Sequence, residues 1–144
     1  MAADCIKFRS LHASVGWTTI PHVAERDFVE VFGRLREIMA EHAGALDVVA
    51  DEPEGYRVNT RHVRKDGYVL MFGAVEIKKR YVSYHLMPVY MAPQGVLPIS
   101  DQLRRSMQGK ACFNFTRIDE GLFAEVSELT RRSMTVVGSA PFTG

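Results

Sequence analysis

The chain has 144 residues, 47% hydrophobic and 24% charged, with a formal net charge of +1. That length suits one domain able to bury roughly two-thirds of its unfolded surface without metal or disulfide staples. The composition excludes disordered and fibrous classes, and the charge gives no global attraction to nucleic acid or an anionic membrane.

The N-terminal residues 1–20 carry scattered apolar anchors, with Trp17 the expected buried point, but no helical or strand period. In residues 23–42 the pattern changes: Phe28, Val31, Phe32, Leu35, Ile38 and Met39 recur at three- and four-residue spacing. This predicts an amphipathic helix, with Glu30, Arg34, Glu37 and Glu41 outside and Gly44 as a left-handed cap. Residues 46–50 form a short β-branched run, and 51–55 (DEPEG) have turn composition, so a hairpin into residues 56–63 is expected. Lys65-Asp66-Gly67 signals a second hairpin, because Asp-Gly tolerates the positive φ of tight turns. Residues 68–77 are apolar on both alternating sets, as in a central strand. After Lys78, Lys79 and Arg80, residues 81–90 read as a fourth strand, with Val82, Tyr84 and Leu86 facing one way and Tyr81, Ser83 and His85 the other.

Residues 91–98, with Pro93, Gly95 and Pro98, read as a loop. Ser100 is placed to cap a short helix that turns Leu103 and Met107 inward and ends at Gly109. Residues 111–116 form a fifth strand, and Asp119 caps a last helix with Leu122, Phe123, Val126 and Leu129 as its buried stripe. The expected fold class is α+β: a largely antiparallel sheet of about five strands with helices packed on one face and the other face partly open. The domain is expected to run as one unit, with an extension at 1–20, a core at 21–132 and a peripheral tail at 133–144.

The segments IKKRYVSYHLMPVYM, SDQLRRSMQGKACFNF and DEGLFAEVSELT resemble the YdhG-like family, small bacterial domains of unknown function with a frataxin-like architecture. The resemblance covers residues 23–131 and implies helices over one side of an antiparallel sheet. It implies little about function beyond an iron-chaperone role inferred for some members from shape.

Candidate ligand-binding residues are Lys78, Lys79, Arg80, Tyr81, His85, Lys110 and Asn114. Lys78 to Arg80 and Lys110 would form an anion site if the fifth strand pairs beside the fourth and brings them to one end of the sheet. The plainer account is a solubilising turn. Gly109 before Lys110 would let backbone approach a ligand, although it also serves as a helix cap. His85 shares its face with Ser83 and Tyr81, and Asn114 needs hydrogen bonds if buried.

No nucleophile elbow, P-loop or Cys/His cluster exists, and the histidines are scattered. The function expected is a non-enzymatic domain recognising a small anionic ligand or a protein partner, without a cofactor. The alternative is an iron-handling metallochaperone using Glu30, Glu37, Glu41, Asp47, Asp51, Glu52 and Glu54. A third reading is an enzyme pairing His85 with Tyr81 or Asn114. The chain contains no apolar run of membrane-spanning length, and its N-terminus lacks a leader-like stretch. Its two cysteines, Cys5 and Cys112, make a poor disulfide framework. A cytoplasmic protein with reduced thiols, free of membrane and nucleic-acid partners, is therefore expected.

Overall fold

A computed structural model describes residues 23–92 and 97–137. The expectations for Trp17, the 1–20 extension and residues 93–96 of the proline-rich loop lie outside these residues. Helix α1 spans Val23–Ala40, and strands β1 (Asp47–Glu52), β2 (Gly55–Val63), β3 (Val69–Ile77) and β4 (Val82–Leu86) follow. Helices α2 (Met87–Met91) and α3 (Asp101–Arg104) lead into strands β5 (Met107–Gln108) and β6 (Cys112–Phe115), and α4 (Glu120–Val137) closes the order. The sheet has six strands in the order β1-β2-β3-β4-β6-β5, every neighbouring pair being antiparallel. The protein is thus α+β, with one strand more than the periodicity predicted.

The apolar stripe of α1 (Phe28, Val31, Phe32, Leu35 and Met39) is buried against β3, β4 and α4. Phe123, Val126 and Leu129 of α4 join the same core, and Phe115 meets Phe123 edge-on at 5.2 Å between ring centroids. Asp119 caps α4 by accepting a hydrogen bond from the Leu122 amide at 3.1 Å, and Ser100 caps α3 in the same way for Leu103, as their side chains predicted. The Lys65-Asp66-Gly67 turn forms, with Gly67 at φ 88° and Asp66 Oδ1 accepting from the Tyr68 amide.

Several boundaries differ. Gly44 is no left-handed cap: after α1 the chain tightens into a 3-10 turn at Ala43–Ala45, and the positive-φ glycines among the described residues are Gly67 and Gly109. The fourth strand stops at Leu86 because Pro88, which has no N–H to give a ladder, sits in the first turn of α2. Helix α3 ends at Arg104, and Met107 enters β5 opposite Phe113. Gly109, at φ 77°, therefore turns a hairpin between β5 and β6 rather than ending a helix. The tail expected from Ser133 is helical to Val137, with Ser133 and Val136 buried; Ser133 satisfies its hydroxyl on the Leu129 carbonyl. No described helix is long and apolar enough to cross a membrane.

Candidate functional site

Strand β4 divides the molecule. Val82, Tyr84 and Leu86 point into the helix-covered core, where burial pushes the Tyr84 hydroxyl pKa up and Thr130 of α4 takes its hydrogen bond at 2.6 Å. By the alternation of the pleat, Ser83 and His85 point to the opposite face. The register extends that face sideways. Ser83 lies between Glu76 of β3 and Asn114 of β6, and His85 between Ala74 and Cys112. On β2, Arg57 and Asn59 flank the core residue Val58 and so belong to it too.

This face is closed at its centre, while Arg57, Asn59 and Asn114 around the centre are half-buried. Ser83 and Cys112 are 0% exposed, and Ala74 and His85 1%. Yet it is polar, and polar groups out of water need partners. Ser83 Oγ, His85 Nε2, Asn114 Oδ1 and Asn59 Oδ1 are buried and make no hydrogen bond among the described residues. Asn114 uses its amide nitrogen on Gln108 Oε1 at 2.8 Å, and His85 Nδ1 lies 3.6 Å from Cys112 Sγ. Burial, helped by the positive charge of Arg57, lowers the His85 pKa to about 4. The imidazole is therefore neutral at pH 7.

Of the residues singled out from sequence, the structure brings His85 and Asn114 together and separates the rest. Lys78, Lys79 and Arg80 fill the turn before β4, whereas Lys110 lies in the β5–β6 turn, next to Ala111, whose carbonyl accepts from Leu86 at the far end of β4. Antiparallel pairing of β6 with β4 causes this separation, and the length of β4 alone puts roughly 13 Å between the two basic clusters. The single anion site does not form. Lys78 closes an ion pair with Glu76 at 2.7 Å, Lys79, Arg80 and Lys110 are exposed, and the Lys110 ammonium lies over the Tyr90 ring. Tyr81 is in the turn, its carbonyl accepting from the Lys78 amide, about four residue steps from His85.

The sequence marks Ser83 only as a face-sharing neighbour of His85 and does not single out Asn59. The available signal was the polar residues at alternate positions of β2 (Arg57, Asn59) and β4 (Ser83, His85). What hid it was Glu76, which reads as a strand-end charge.

Cys112 is disulfide-bonded, which corrects the expectation of a reduced thiol and removes the main support for a cytoplasmic location, since disulfides persist in oxidising compartments. The chain's other cysteine, Cys5, lies outside the described residues. Among the described residues no three of His, Cys, Asp and Glu gather as metal ligands. Asp51 is clasped by Arg36, which holds its carboxyl below the usual range, and Asp47 pairs with Arg61. Compared with known proteins, the chain matches no family model, no curated protein and no solved structure.

Proposed function

We propose that the protein is a small, non-enzymatic binding domain that holds a compact polar ligand against the sheet face formed by β4 and β6. One observation carries this reading: Ser83 Oγ, His85 Nε2 and Asn114 Oδ1 are buried side by side without hydrogen bonds among the described residues. Leaving such groups unpaired costs about 1–3 kcal/mol each, a cost that a ligand's own polar atoms would offset. Asn114 at the rim of the trio is half-buried, whereas Ser83 and His85 behind it are 0% and 1% exposed, so a ligand would meet Asn114 first. The anionic character expected from the basic residues rested on a convergence that antiparallel pairing prevents.

Catalysis is the weaker reading. A histidine with its pKa near 4 is a poor base at neutral pH, and its ring meets sulfur at Nδ1 and makes no hydrogen bond at Nε2 among the described residues. Iron handling would need carboxylates gathered on an exposed ridge, and two of the three on β1, Asp47 and Asp51, are engaged by arginines. The YdhG-like assignment belongs to the same proposal and rests on the quoted segments alone.

Calorimetric titration with a panel of small polar metabolites tests the reading. A ligand whose affinity falls at least tenfold in Asn114→Leu, and is unchanged in Arg80→Ala and Lys110→Ala, is the expected result. A ligand lost in the two basic-residue variants and kept in Asn114→Leu would move the site to the turns.

A further inference from the structure

The polar face is closed at its centre, yet no described helix closes it. Helices α1 and α4 fill the opposite side of the sheet, and α2 and α3 pack against α4. Met71, opposite Asn59 and so on the polar face, is 1% exposed although it lies outside the helix-side core cluster. Arg57, Glu76 and Cys112 on this face, and Lys78 at its end, each make a further interaction.

The disulfide indicates which part of the chain supplies the cover. Cys112 lies opposite His85 and is disulfide-bonded. The sequence holds two cysteines, so within one chain its partner can only be Cys5. Helix α1 begins at Val23 on the other side of the sheet, and residues 6–22 join it to Cys5. Extended, they reach roughly 55–60 Å, against about 24 Å for the full width of six strands. That length is enough to round an edge of the sheet and cross the face. Ile6, Phe8, Leu11, Val15 and Trp17 of this segment would give Met71 and Ala74 the apolar neighbours that their burial calls for.

We propose that residues 6–22 strap the polar face shut, tied to it by a Cys5–Cys112 disulfide, and that reducing this bond opens the face. Ser83 Oγ, His85 Nε2 and Asn114 Oδ1 find no hydrogen bond among the described residues, whereas water would pair all three once the strap lifts. The tether holds the closed state against that difference by keeping the strap at high effective concentration. A dithiol undoes it in two steps. One thiolate attacks the Cys5 sulfur, because Cys112 is 0% exposed, and Cys112 leaves as a thiolate beside His85 Nδ1. The second thiol then displaces Cys5, so that two electrons and two protons pass to the cysteines and the reductant keeps the disulfide. If the face takes a ligand, as proposed above, the strap is what that ligand must displace; the tests need no ligand, so the two readings fail separately.

Peptide mapping of the unreduced protein by mass spectrometry should find the Cys5 and Cys112 peptides joined within one chain. Cys112 joined to a second copy, or two free thiols, would overturn the proposal. By NMR, His85 should titrate near 4 in the oxidised protein and move toward the ordinary 6.5 both after dithiol treatment and in Cys5→Ser. The Tyr84 and Thr130 signals of the core should stay in place. A His85 that still titrates near 4 after reduction would mean that another part of the chain, residues 138–144 first, closes the face, and the strap is wrong. Loss of the core signals on reduction would show that the bond holds the fold rather than the face, and would overturn the switch.

Discussion

His85 is a base held neutral by its surroundings, and that makes folding sensitive to acid. The unfolded chain takes up this proton near the ordinary histidine value of 6.5, whereas the folded protein does so only near 4. Between those values the unfolded state binds more protons, so stability falls as pH drops. Below pH 4 both states are protonated and the loss is complete, on the order of 3 kcal/mol. Urea unfolding from pH 7 to pH 4 should show this decline, and His85→Leu should flatten it. An equal decline in that variant would assign the acid sensitivity to carboxylates. Across the sheet, Tyr84→Phe removes one hydroxyl from the buried Tyr84–Thr130 pair, while Thr130 keeps its bond to the Val126 carbonyl. The expected cost is about 0.5–1.5 kcal/mol, read from the same unfolding curves. A cost above about 3 kcal/mol would mean that the hydroxyl supports more than this bond.

Among the elements, β3 is where the helix layer comes closest to the sheet. Gly73 sits under Met39, and a Cβ built there would lie 2.5 Å from Met39 Cε and 2.7 Å from the His85 carbonyl oxygen. The methionine end can move, but the strand carbonyl cannot without disturbing the β3–β4 ladder. Gly73→Ala should therefore destabilise by about 1–3 kcal/mol and shift the His85 amide signal; a neutral substitution would show that the strands part easily. This glycine was not legible in the sequence, where it reads as one more residue of an apolar run. The long elements were legible, because Phe28 to Met39 and Leu122 to Leu129 repeat at helical spacing over several turns. The short ones were not: α2 hides in an aromatic run whose signal for a helix is Pro88, and β5 is two residues long, too short to show a period. Asn114 and His85 stood out as polar groups in apolar strands, but which neighbours they meet depends on β6 pairing with β4, a long-range choice that local pattern does not encode.

At the scale of the whole molecule, both faces of the sheet are buried at the centre, one by an apolar helix layer and the other around polar side chains. The disulfide at Cys112 is anchored on that polar face. Reducing it should lower stability by about 2–5 kcal/mol; a thermal midpoint unchanged by a dithiol reductant would mean that the bond contributes nothing to the fold. The polar face remains the feature that a purely structural protein would not need, since apolar residues of similar size would fill it without unpaired atoms. The most direct test of its role is a high-resolution crystal structure of the protein purified under non-denaturing conditions. The account predicts polyatomic electron density within hydrogen-bond distance of Ser83 Oγ, His85 Nε2 and Asn114 Oδ1. A face on which those three atoms bond only to ordered waters or to other protein groups would contradict it.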